Sequence, residues 1–169
     1  MSSKLLIANV VAVIALLIAA CGGTTSTSTA SPEASPAASP AASPAAAGTK
    51  IAVATNAKLG QILVDDKGMT VYLFVADTGT ASTCYTSCAA IWPPLLTVGA
   101  PQAWAGADAS LLGTTTRTDG KVEVTYAGHP LYYFVQDKAA GDAKGQAING
   151  FGGLWWVLSP AGAAITVKP

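Results

Sequence analysis

Asp66-Lys67-Gly68-Met69-Thr70-Val71-Tyr72-Leu73-Phe74-Val75-Ala76-Asp77 decides the fold, because a second stretch repeats it. Thr125-Tyr126-Ala127-Gly128-His129-Pro130-Leu131-Tyr132-Tyr133-Phe134-Val135-Gln136-Asp137 aligns with it once one residue is allowed before the glycine. Each copy is a turn glycine, a strand carrying Tyr-x-Phe-x-x-Asp, and a loop leading to tryptophan: Trp92 in the first copy, Trp155 and Trp156 in the second. Strand side chains two apart share a face, so Tyr72 sides with Phe74 and Tyr132 with Phe134. Internal repeats of this kind bury their apolar faces against one another. The expectation is one shared core with approximate two-fold symmetry.

Working outward, alternating apolar and polar residues predict strands at Ile51 to Ala54, Gln61 to Asp65, Met69 to Val75, Leu112 to Arg117, Lys121 to Tyr126, Pro130 to Gln136, Leu154 to Leu158 and Ala164 to Val167. Asp66-Lys67-Gly68, Thr118-Asp119-Gly120 and Ala127-Gly128 are the turns between them. One short helix is predicted over Thr83 to Ile91, capped by Ser82 or Thr83 and stopped by Pro93-Pro94. The fold class is mostly β: a small antiparallel domain built from two pseudo-symmetric hairpin repeats, about 59–96 and 117–162, with one short helix.

The motifs in order are Tyr72-x-Phe74-x-x-Asp77, Cys84, Cys88, Trp92-Pro93-Pro94-Leu95, Arg117-x-Asp119-Gly120, Tyr132-x-Phe134-x-x-Asp137 and Gly141-Asp142-x-x-Gly145-Gln146. That series resembles the predicted bacterial lipoproteins with the Yx(FWY)xxD motif, the secreted repeat of unknown function. The resemblance covers about Leu59 to Gly162. It implies an envelope protein with paired repeats and implies no reaction.

The N-terminus agrees with that compartment. Lys4 precedes apolar runs from Leu5 to Ala8 and from Val10 to Ala20, which end at Cys21. A spanning helix needs about 20 apolar residues, so residues 1–20 read as a signal peptide. Ile18-Ala19-Ala20-Cys21 resembles a lipobox. In lipoproteins such a cysteine receives a diacylglycerol, and the new amine often takes a further chain such as palmitate. Two or more acyl chains anchor stably, since each buried methylene contributes about 0.8 kcal/mol. Residues 21–48 repeat Ala-Ser-Pro and hold no aromatic residue, so they read as a disordered tether, with the β-rich domain at 49–169.

The chain has nine Lys and Arg against nine Asp and Glu, and loss of Lys4 with the signal leaves eight against nine. No basic patch argues for nucleic acid. The expected partners are the membrane, through the lipid anchor, and a cell-wall glycan or envelope protein, with no cofactor.

Among residues able to carry chemistry, Cys84 and Cys88 are an even pair in an oxidising compartment and read as a disulfide. The alternative is an envelope copper-handling or thiol redox protein, with His129 and Met69 completing the ligands. Asp77 and Asp137 end equivalent strands. Such a pair can serve as acid and base or bind calcium, but a short carboxylate at a strand end more commonly caps the next turn. Trp155 and Trp156 are strand neighbours and face opposite ways, which predicts one of them at the surface; Tyr133, between Tyr132 and Phe134, is predicted there too. Those three are candidate surface aromatics for stacking on a sugar. The chain holds one histidine and no Ser-His-Asp, phosphate-loop or His-Glu-x-x-His pattern, so the leading expectation is a non-enzymatic extracytoplasmic module.

Overall fold

The computed structural model describes residues 48–168. The expected signal peptide, Cys21 and tether residues 21–47 lie outside the described residues. Strands β1 (Lys50–Asn56) and β2 (Gly60–Asp65) form an antiparallel hairpin in which Ile51 faces Asp65 and Asn56 faces Gly60. Asn56 shapes the turn, its Oδ1 accepting the backbone N–H groups of Lys58 and Leu59. Strand β3 (Tyr72–Phe74) follows, then helix α1 (Ser87–Ile91) and β4 (Gln102–Ala103), which adds to β1 in parallel. The second half repeats the plan with β5 (Leu112–Thr116) and β6 (Val122–Tyr126) as the hairpin, then β7 (His129–Pro130), β8 (Asn149–Gly150) and β9 (Gly153–Val157).

The two halves are interlocked. Strand β9 of the second repeat pairs antiparallel with β3 of the first, placing Leu73 opposite Trp156. In the mirror relationship, Tyr133 and Val135 of the second repeat donate to the carbonyls of Pro93 and Ile91 in the first. The exchange continues at the hairpins. Leu63 N–H donates to Leu158 at 3.0 Å, while Val124 N–H donates to Leu95 at 2.8 Å. Neither repeat completes its own backbone hydrogen bonds, so each needs the other to bury its polar main chain.

Every strand between the halves is covered on both faces. One face carries Tyr72, Phe74, Tyr132, Phe134, Trp92 and Trp155 with the two cysteines, and the other carries Val71, Leu73, Leu131, Tyr126, Trp156 and Leu158. The four repeat rings therefore share one cluster, and a second apolar layer lies behind the same strands. At about 25 cal/mol per Å², burial on both faces is the main favourable term for these strands. The turn glycines Gly68 and Gly128 take φ of +79° and +82°, the left-handed conformation that only glycine adopts without strain. Gly145 meets a different demand: a Cβ there would stand 2.7 Å from the Trp92 ring and 2.9 Å from that of Tyr72.

Three local expectations are corrected. The helix starts at Ser87 rather than Thr83, because Thr83 is held by a carboxylate and Cys84 by a disulfide before the first turn. Ala164 to Val167 forms no strand; Ala164 makes one bridge to Leu158, and the carbonyls of Ile165 and Val167 are held by the Gln146 side chain. The predicted strand from Pro130 to Gln136 is broken into β7 and isolated bridges of Tyr132. No helix among the described residues is long and apolar enough to cross a membrane.

Candidate functional site

Tyr72 and Tyr132 meet where the two repeats meet. Their backbones exchange hydrogen bonds, Tyr72 N–H to Tyr132 C=O at 2.9 Å and the reverse at 3.0 Å. Their hydroxyls then cross over. Tyr72 donates to Asp137 Oδ2 and Tyr132 donates to Asp77 Oδ2, each at 2.6 Å. The Tyr of each repeat is thus tied to the Asp of the other. The second oxygen of each carboxylate organises the loop that follows. Asp77 Oδ1 accepts the N–H and hydroxyl of Thr83, and Asp137 Oδ1 accepts the N–H of Lys144. Burial, reinforced by the neighbouring carboxylate, pushes the Tyr72 phenol far above its usual range. Burial does the same to Tyr132, with Glu123 and Asp77 adding to it. Both phenols are neutral donors at any ordinary pH.

Beside these ties runs a continuous aromatic stack. Trp92 and Trp155, the tryptophans of the two repeats, lie parallel at 4.0 Å with 3° between their planes. Phe74 extends the stack beyond Trp155 at 4.0 Å, and Phe134 extends it beyond Trp92 at 4.3 Å. Tyr72 and Tyr132 meet its two tryptophans edge-on. The Cys84–Cys88 disulfide, with Cα atoms 5.2 Å apart, is buried in the same cluster.

The expected surface aromatics are corrected here. Trp155 is fully buried and Trp156 is 7 % exposed. They do face opposite ways, but β9 has an apolar layer on each side, so both directions lead into protein. Tyr133 is half-buried against the second layer, and its hydroxyl donates to Asp65 at 2.8 Å. The exposed rings are Trp104, 59 % accessible, and Phe151 at the β8–β9 turn. Trp104 lies in a segment with no strand period to mark it, and Phe151 sits in a left-handed turn position that sequence gives no reason to assign to phenylalanine.

A buried ion pair is the feature that sequence reasoning missed. Arg117 Nη1 bonds Glu123 Oε2 at 2.8 Å and Ser82 Oγ at 2.7 Å, while Nη2 donates to the Cys84 carbonyl. Its guanidinium stacks over Tyr85. Arg117 therefore ties the disulfide loop of the first repeat to the second hairpin. Burial pushes the Glu123 carboxyl up to about 7 in spite of Arg117, with Asp77 and Asp119 acting in the same direction. Glu123 Oε1 has no hydrogen-bond partner among the described residues. In strand alternation Glu123 reads as an ordinary polar position between Val122 and Val124, which hides its burial.

The proposed copper ligands are not gathered. Cys84 and Cys88 are joined to each other, and among the described residues no three His, Cys, Asp or Glu side chains converge as a metal site. Met69 and His129 are half-buried in their equivalent turns. Asp77 and Asp137 do not open onto a common cleft, each being consumed by a tyrosine and a loop amide.

Away from the interior lies a surface groove of about 880 Å³. Its rim carries Lys50, Lys67 and Lys121, and its wall includes Leu96, Val122 and Tyr133. Lys50 Nζ sits 4.8 Å over the exposed Trp104 ring.

The model of the family described as a secreted repeat of unknown function matches the chain twice, over residues 53–96 and 113–159. Both matches begin inside the hairpins, so β1 and β5 belong to the repeating unit. No curated protein and no solved structure matches the chain.

Proposed function

The chain belongs to the family of secreted repeats of unknown function, and from that premise we propose that it is a cell-envelope lipoprotein, anchored through Cys21, whose β domain is a non-enzymatic binding or structural module outside the cytoplasm. The crossed Tyr–Asp ties carry this reading. The two carboxylates that recur in sequence, and that an acid–base enzyme would need free, are each occupied by a buried phenol and a loop amide. Groups held that way brace a scaffold and lack the open approach a substrate requires. The buried disulfide suits an oxidising compartment, and the apolar run ending at Cys21 suits acylation.

Intact-mass analysis of the protein extracted from its native membranes tests the anchor. The expected product starts at Cys21 and carries at least two acyl chains, and Cys21→Ser should shift the protein out of the membrane fraction. An unacylated chain that retains residues 1–20 overturns this reading.

A further inference from the structure

We infer that strand β5 (Leu112–Thr116) is an open sheet edge that takes up an extended, uncharged peptide segment of a partner protein, running parallel to β5 as β4 runs along β1. This rests on reading the domain as an envelope binding module and names the class of its partner.

The two hairpins are equivalent in plan but not in cover. Leu63 and Val124 occupy matching places, each donating its N–H to the other repeat, and they stand opposite Val53 and Thr114. Val53 thus corresponds to Thr114, and Ile51 to Leu112. In the first hairpin the outer edge is closed: Trp104 N–H donates to Ile51 at 2.7 Å, and Val53 N–H donates to Ala105 at 3.0 Å. In the second, β5 pairs with β6 alone. Val122 and Val124 spend their backbone groups away from β5, on Thr97, Leu95 and Leu131. In an antiparallel ladder the residues opposite them, Thr116 and Thr114, must then also point outward, and so must the Leu112 carbonyl. No backbone hydrogen bond among the described residues reaches the Leu112 carbonyl or the Thr114 N–H, the counterparts of the two groups by which Ile51 and Val53 hold the β4 segment.

Exposed edges in native proteins are commonly blunted by shortness, charge or proline. The edge strands β4 and β8 are two residues long, and Pro101 precedes β4. Strand β5 has none of these guards: it is five residues, Leu112-Gly113-Thr114-Thr115-Thr116, with no charge and no proline. Its three threonines favour extended backbone, and Thr114 and Thr116 are exposed. Open N–H and C=O groups at strand spacing are answered by another polypeptide backbone, and side chains then set the choice among peptides. An uncharged edge offers nothing to a charged segment. The first repeat shows an occupant that fits, since Gln102-Ala103 and their neighbours Pro101 and Trp104 carry no charge. A second copy related by a two-fold axis would set β5 against β5 antiparallel, opposite to the direction that β4 takes along β1.

The test is titration of the full chain, in neutral detergent, with a synthetic peptide that copies residues 99–106, followed through the backbone amide resonances. Binding is expected to shift the amides of Leu112 to Thr116 and to slow hydrogen exchange at Thr114, while those of Ile51 and Val53 stay unmoved. The same peptide methylated on the nitrogen that corresponds to Trp104 N–H cannot donate to the Leu112 carbonyl, and it should bind about tenfold more weakly. Thr114→Pro removes an N–H that the β5–β6 ladder does not use, so it should weaken binding about tenfold or more at little change in melting temperature. No shift in β5 at about 1 mM peptide overturns the proposal. So does equal binding of the methylated peptide, or a shift confined to Ile51 and Val53, which would mark displacement of β4. Shifts of the β5 amides that grow with protein concentration and without peptide would assign the edge to a second copy and overturn it too. Failure of the peptide with an acylated Cys21 on the native protein sinks this inference alone; binding with an unacylated, uncleaved chain leaves the edge standing and sinks the envelope reading beneath it.

Discussion

The Tyr72 hydroxyl donates to Asp137 across the two repeats, at 2.6 Å and 65 residues apart in sequence. Its counterpart, Tyr132 to Asp77, has the same length. The recurring Tyr-x-Phe-x-x-Asp is therefore two half-sites, each completed by the other copy. Within a copy the Phe ring enters the stack, the Tyr hydroxyl reaches the other copy's carboxylate, and the carboxylate's remaining oxygen fixes the following loop. The same Tyr-x-Phe-x-x-Asp spacing in both repeats accompanies two ties of equal length.

Removing one end of a tie should cost more than a turn cap. Tyr72→Phe leaves Asp137 short of a buried donor, and a stability loss of about 1–3 kcal/mol is expected. Asp137→Asn sets an amide donor against either the Tyr72 hydroxyl or the Lys144 N–H, and should cost a similar amount. Denaturant unfolding of the two single variants and the double variant should give a coupling energy of about 1 kcal/mol or more. Strict additivity would show that the tie contributes nothing to stability.

Gly145→Ala adds a methyl where a Cβ would lie 2.7 Å from Trp92. The neighbouring rings are stacked on both sides and have no direction to yield, so destabilisation of about 1–3 kcal/mol is expected. Near-ultraviolet circular dichroism should report the loosened indole packing. A variant with native spectrum and melting temperature would contradict the packing described.

Glu123 should make stability depend on pH in an unusual direction. Its folded carboxyl lies near 7 against an ordinary 4.5, so the folded state holds the proton more tightly than the unfolded state. The contribution is fully present below about pH 4.5 and is lost as pH rises through about 7. Melting temperatures measured across that window should fall for wild type, and the fall should be absent in Glu123→Gln. A profile unchanged by the substitution would assign the pH dependence elsewhere.

Both cysteines are oxidised in the fold, so thiol titration of the unfolded mature protein should find none free among Cys84 and Cys88. The closed loop is short, and the double variant Cys84→Ser/Cys88→Ser should lose at most about 2–3 kcal/mol by loop entropy. Because Arg117 also holds the Cys84 carbonyl, the loop should keep its course, and the domain should remain folded. Unfolding of the double variant at room temperature would show that the disulfide supplies more than this.

By itself the sequence determined the hairpins, the repeat and the inward-facing Tyr72, Phe74, Tyr132 and Phe134, because strand alternation and turn glycines are local properties of the chain. Tertiary structure alone decided which repeat completes which. The exchange of Leu95 and Leu158 between hairpins, the crossed hydroxyls and the Trp92–Trp155 stack all join residues more than 25 positions apart. Alternation also cannot tell a strand with one wet face from a strand covered on both, which is why one of Trp155 and Trp156 reads as a surface residue and Glu123 as an ordinary polar one. Burial on the second face depends on a layer brought in from the other half of the molecule, and no local pattern of residues records that layer.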